Sequence, residues 1–148
     1  MAITQAMCTL FKKDLLLGDH HLDTDDIRIA LYTSSADLSA TTDAYTATAE
    51  ITNASGSAYT AGGLALSSKA VTENSTSGVF DAADPEWTSA SFTANGALIY
   101  NKTLQDASSN TRGAIAVLAF GGDFTVAGGT FKIVFPAATA SNAIVRID

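Results

Sequence analysis

"FGGDFTVAGGTFKIVFP", residues 120–136, sets two glycine pairs, Gly121–Gly122 and Gly128–Gly129, beside apolar runs. A phosphate loop would need its glycines to lead from a strand into a helix whose first amides face the ligand, with Lys and Ser/Thr following at set spacing. The first pair leads instead into "DFTVA" and the second into "TFKIVFP", where Phe131, Ile133 and Phe135 alternate with Thr130, Lys132 and Val134, the two-residue period of a strand. The glycines therefore read as turns or bulges that bend a sheet. This stretch predicts strands on both sides of the glycines and no nucleotide cradle.

The same period recurs outward from it. "IRIALYT", residues 27–33, sends Ile27, Ile29 and Leu31 one way and Arg28, Ala30 and Tyr32 the other, as a half-buried strand does. Further short strands are predicted near residues 47–51, 64–72, 78–80, 88–93, 97–101, 113–120, 130–135 and 143–147. Asn95–Gly96, between "SASFTA" and "ALIYN", carries the dipeptide that accepts the positive φ angles of a tight primed turn, so a hairpin is expected there. "DASSNTR", 106–112, predicts a second, looser turn. "FTANG" at 92–96 and "FTVAGG" at 124–129 echo each other at two strand corners. Many short strands with polar turns predict a mainly β protein, an antiparallel sandwich or a jelly-roll-like barrel, in one domain over residues 1–148.

One segment breaks the pattern. In "ITQAMCTLFKKDLLLG", Ile3, Ala6, Met7, Leu10, Phe11 and Leu15 fall at three-and-four spacing and Gly18 follows as a stop, which predicts an N-terminal amphipathic helix over about 3–17. Residues 34–63 are rich in Ser, Thr, Ala and Gly and predict an extended surface loop of the length that often binds something.

Composition narrows function. The 148 residues carry eight Lys and Arg against fifteen Asp and Glu, a formal net charge of -7, with no basic run, so the charge attraction behind nucleic-acid binding is missing. The apolar start is too short and too polar for a membrane span or a signal peptide, and a soluble, unexported chain is expected. Cys8 is the single cysteine; it cannot form an internal disulfide and reads as a small buried hydrophobe.

Three clusters invite chemistry. "DHHLDTDD", residues 19–26, gathers His20, His21, Asp23, Asp25 and Asp26, yet it lacks the glycine and closing glutamate of a calcium loop and the i, i+4 spacing of a helical zinc pair. It reads as a solvated loop, with calcium near Asp23, Asp25 and Asp26 left open. "DAADPEW" places Asp81, Asp84 and Glu86 where a glycosidase would pair two carboxylates, but Pro and Asp favour a turn leading into a buried Trp87. No G-x-S-x-G elbow occurs, and both histidines sit in one loop, so no catalytic residue, metal or cofactor is expected.

The segments "MAITQAMCTLFKKDLLLGDHH", "IRIALYTSSADLSATTDAYTATAEI", "AYTAGGLAL", "FTANGALIYN" and "AVLAFGGDFTVAGGTFKIVFPAATASNAIVRI", which span nearly the whole chain, resemble a family of small virion proteins of tailed bacteriophages. The resemblance implies a non-enzymatic structural protein made in the host bacterial cytoplasm and mounted on the capsid exterior. Its role there would be decoration or cement, with the major capsid protein as partner and a self-association, a trimer, that matches local shell symmetry. An excess of carboxylates suits an outer surface that should not stick to DNA. The helix and the long loop are the expected contacts, with Ile3, Met7, Leu10, Phe11, Leu38, Tyr45 and Tyr59 as candidate contact residues. Two other classes stay open. A tail-associated or receptor-binding module predicts an exposed aromatic platform among Tyr32, Tyr45, Tyr59 and Trp87. A small hydrolase predicts His20 or His21 within reach of a serine or an acid from another loop.

Overall fold

The computed structural model describes residues 2–148. They form a mainly β, sandwich-like fold of two antiparallel sheets. In chain order the elements are β1 (Ala6–Met7), α1 (Thr9–Leu16), β2 (Ile27–Tyr32), β3 (Leu64–Ala65), β4 (Ala70–Asn74), β5 (Ser77–Asp81), β6 (Glu86–Asn101), α2 (Lys102–Ala107), β7 (Ala114–Lys132) and β8 (Val145–Ile147). The larger sheet has the order β1-β7-β6-β2-β3 and the smaller β4-β5-β8. One cluster of buried side chains draws on both sheets, with Ile29, Leu98 and Val117 from the first and Phe80 and Val145 from the second. Among the described residues no helix is long and apolar enough to cross a membrane.

The glycine-rich stretch lies inside β7 and not between strands. Phe124 pairs with Ala94 and Ala119 with Gly96, so residues 120–123 bulge out opposite Asn95 alone. Asn95 Nδ2 donates to Asp123 Oδ1 across this bulge at 2.8 Å. Gly128, at φ +64°, is the extra residue between the Ala127–Ser91 and Gly129–Ala90 pairs. The expectation of bulges that bend the sheet thus holds, and that of turns does not. The two echoing segments are partners: Phe92, Thr93 and Ala94 pair with Val126, Thr125 and Phe124. Residues 120–131, if straight, would span about 36 Å. Phe120 and Phe131 nevertheless have ring centroids 6.2 Å apart, so the bulges curl the ribbon until its apolar face closes on itself.

The predicted hairpin at Asn95–Gly96 does not form. β6 runs through it without a break, and Gly96 pairs with both Tyr32 and Ala119. Its glycine serves close approach, since a Cβ there would lie 2.7 Å from Ile3 Cγ2 and from the Leu118 carbonyl oxygen. The strands predicted at 88–93 and 97–101 are therefore one. The link between β6 and β7 contains α2, where only a loose turn was expected. Asn101 caps it, its side chain accepting from the Leu104 amide at 3.0 Å, and Lys102 reaches Asp106 one turn on at 2.5 Å. Both devices favour a helix, but six residues are too few to show a 3.6-residue period.

The N-terminal helix is shorter than its apolar stripe. α1 begins at Thr9, because Ala6 and Met7 pair with Val117 and Ala116 of β7, and the Thr4 amide donates to the Leu38 carbonyl at 2.8 Å. Two unpaired backbone edges recruit this segment as a strand, and such pairing outweighs the weak preference of a short isolated helix. The stop at Gly18 is as expected. Gly18 sits at φ +80°, its amide donates to the Leu15 carbonyl, and the Asp19 amide reaches back to that of Asp14 at 2.9 Å, which closes a Schellman motif.

Residues 34–63 are more than a surface loop. Residues 49–51 lie along β2: Tyr32 bridges Glu50, the Thr33 amide donates to the Ala49 carbonyl and the Ile51 amide to that of Leu31. Ala36, Leu38, Ile51 and Tyr59 are buried. β2 is flanked on both edges, by β6 on one side and by β3 and this segment on the other, and it is not half-buried: every residue but Arg28 is buried. The strand expected over 64–72 is divided into β3 and β4, which belong to different sheets.

Candidate functional site

Beneath residues 45–62 lies a buried carboxylate held only by hydrogen-bond donors. Glu50 accepts from Tyr45 Oη at 2.5 Å, from Tyr59 Oη at 2.6 Å and from the Gly62 amide at 2.7 Å. The Tyr59 oxygen in turn accepts from the Leu31 amide at 2.9 Å, and Tyr100 Oη donates to the Gly62 carbonyl at 2.8 Å. Tyr45 stacks on Tyr100 with centroids 4.9 Å apart. Burial and the neighbouring carboxylate push the Tyr45 and Tyr59 phenols far above their usual range, and burial pushes Tyr100 up to about 12. At neutral pH these rings are therefore fixed donors. The network ties a sequence-poor loop to the sheet and presents no nucleophile.

Several expected contact residues are taken up by the fold itself. Phe11, Leu38 and Tyr59 are buried and cannot reach a partner without unfolding, which corrects their assignment as contacts. Ile3, Met7, Leu10 and Tyr45 are half-buried; Ile3 fills the notch at Gly96 and Tyr45 belongs to the Glu50 network. The aromatic platform fails on the same ground: Tyr32, Tyr59 and Trp87 are buried.

The apolar surface that does face outward lies elsewhere. Phe120, Phe124, Val126, Phe131, Ile133 and Val134 line an open groove of about 460 Å³ on the curled ribbon. A second hollow of about 280 Å³ shares Phe120, Ile133 and Val134 and continues to Leu118 and Ile144. Phe124 is 54% and Val134 74% exposed, and at the end of α1 Leu16 is 90% and Leu17 65% exposed. Lys132 stands at the groove, 3.5 Å from Asp84. The sequence contained these residues in plain view, but a strand alternation cannot say which face a curled ribbon leaves open.

The polar clusters resolve into structural contacts. Asp84 also accepts from the Phe135 amide at 2.9 Å, which fastens the chain leaving β7. Asp25 accepts from the His21 amide and from Asn101 Nδ2, while Asp26 is forked by Arg28 at 2.9–3.1 Å. Asp23 is exposed. These carboxylates answer to different partners, and among the described residues no three His, Cys, Asp or Glu side chains converge as a metal site. His20 is buried against Phe11, contrary to the expected solvated loop, and its hydrogen-bond partner is Asn101, not a serine.

Cys8 is fully buried at the start of α1, and burial together with the Asp43 carboxylate pushes its thiol up to about 12. The thiolate is the reactive form, so Cys8 should resist a maleimide or a disulfide reagent in the native protein and react stoichiometrically in denaturant. Rapid native labelling would show that α1 opens readily.

Comparison with protein-family models, with curated proteins and with solved structures finds no match for this chain.

Proposed function

We propose that the chain is a non-enzymatic structural protein of a tailed-bacteriophage virion, a decoration or cement protein that binds the outer capsid surface and strengthens the shell. Its partner would be the major capsid protein, and it would self-associate, as a trimer, about a local symmetry axis. The observation that carries this reading is the open apolar groove on the β6–β7 ribbon with Phe124 half out of it. Small-molecule sites enclose most of their ligand, whereas an open apolar groove with an aromatic at its rim suits a protein surface. Support also comes from stiffness. The ribbon is paired along nearly its whole length and cross-linked by Asn95–Asp123 and Thr93–Thr125 contacts at 2.8 Å, as a brace between subunits requires.

Cryo-electron microscopy of purified virions tests the proposal. Density for this chain over three-fold or quasi-three-fold capsid positions, with the groove against shell subunits, is the expected result. Phe124→Asp should then abolish rebinding to stripped shells while the fold melts unchanged. Density confined to the tail would overturn the capsid assignment in favour of a tail-associated or receptor-binding role.

A further inference from the structure

His20 sits where four parts of the chain meet. Its ring packs edge-on against Phe11 of α1 with centroids 4.8 Å apart. Its Nδ1 lies 3.2 Å from Asn101 Nδ2, at the junction of β6 and α2. Asn101 has its orientation settled by its oxygen, which accepts from the Leu104 amide as the cap of α2. Its two amide hydrogens then go to His20 Nδ1 and to Asp25 Oδ2, the latter at 2.6 Å. Nδ1 must therefore hold a lone pair, and the ring proton sits on Nε2, which is buried without a hydrogen-bond partner. An unpaired buried N–H is a cost, so this arrangement is poised rather than relaxed.

The charged groups facing the ring come from each packed element: Asp14 from α1, Asp19 and Asp25 from the loop, and Arg112 from the segment leading into β7. Arg112 is itself held by Asp14 at 3.0 Å and by Asp19. We propose that His20 is an acid-sensitive latch, whose protonation at Nδ1 breaks its contact with Asn101 and frees the 19–26 loop and the first turn of α2 while the sheet stays folded. A protonated Nδ1 is a donor facing the donor of Asn101. The new imidazolium has a carboxylate to turn to in Asp25, which Asn101 and the His21 amide now occupy. If it draws Asp25 away, Asn101 loses both side-chain acceptors that orient it and the α2 cap loosens.

Burial also sets the direction of the pH response. As the largest influence, it holds the His20 ring below its ordinary value of 6.5, with Asp14 and Asp25 opposing and Arg112 assisting. The closed state therefore binds this proton less readily than the open one. The contribution of the latch is fully present above the ordinary value and is lost as pH falls from there through the closed-state value, at no more than about tenfold in the closed-to-open ratio per pH unit.

The test is a histidine-ring NMR titration of the intact protein from pH 7.5 to 4.5, paired with hydrogen exchange at the Leu104 amide corrected for its intrinsic pH dependence. The expected result is a His20 midpoint below 6.5, with Leu104 protection falling through that midpoint by up to about tenfold per unit, while the Leu98 and Val117 amides of the central sheet keep theirs. In His20→Phe, Leu104 protection should become independent of pH. Should that variant fail to fold, the wild-type titration decides alone. A His20 midpoint at or above 6.5, or Leu104 protection flat across it, overturns the latch.

Discussion

Gly63→Ala should leave little folded protein. A Cβ at this position would lie 1.8 Å from the Ile29 carbonyl oxygen and 2.8 Å from Ala30 Cα, and the residue sits at φ +75°. The obstruction is backbone in the middle of β2, which cannot rotate aside as a side chain would. Relief requires β3 to separate from β2, breaking the Leu64–Ile29 and Ala65–Arg28 pairs and exposing the Tyr100–Gly62 contact beside them. We expect a loss of about 4 kcal/mol or more, in the range reserved for severe core and backbone conflicts, read as a collapse in soluble yield or in denaturant midpoint. Gly121→Ala is the matched control. It too has positive φ, +81°, but open space around the added methyl, so only the left-handed backbone strain of about 1 kcal/mol should appear. Equal losses at the two positions would refute the packing explanation.

Glu50→Ala is the second large effect. It strips the acceptor from two tyrosine hydroxyls and a backbone amide at once, in a site where Glu50 and Tyr59 are buried. Each orphaned buried donor costs about 1–3 kcal/mol, and relaxation of the loop toward water recovers part, leaving an expected loss of about 3–5 kcal/mol. For a chain of this size that lowers the melting temperature by about 10 °C or more. Tyr45→Phe removes a single donor at a half-buried position and should cost about 1 kcal/mol. Calorimetry of the two variants separates a shared network from a lone contact, and a Glu50→Ala protein melting within about 2–3 °C of the parent, no more than the cost of a single hydrogen bond, would remove the network from the account of stability.

These two residues lie in the same segment, and the sequence reads that segment least well. Between Ser34 and Gly63 the large apolar side chains are few, so periodicity assigns it to the surface. What holds it down is a glutamate, a set of tyrosines and a glycine that admits the neighbouring strand, and none of these has a spacing that announces its partner. Hydrogen bonds between Tyr59 and Glu50 or Tyr100 and Gly62 join residues whose proximity exists only after the sheet has formed. The missed α2 and the shortened α1 have related causes: one is too short for a period to register, and the other loses its first turns to an open strand edge.

Local chemistry settled a definite portion. The extended strand at 27–32, the in–out alternation at 130–135, the reading of both glycine pairs as turns or bulges and not as a phosphate loop, the stop at Gly18 and the burial of Cys8 and Trp87 all rest on side-chain shape and backbone freedom within a few residues. The β class rests on these, because strand period and glycine conformation are properties of the chain before it folds. Tertiary structure decided the rest: that Asn95–Gly96 is extended and not a turn, that Phe11, Leu38 and Tyr59 face inward, and that Phe124 and Val134 line the open groove. Each of these depends on which edge, face or notch a distant segment fills. Backbone pairing and close packing are settled between segments far apart in sequence, so no local pattern encodes their outcome.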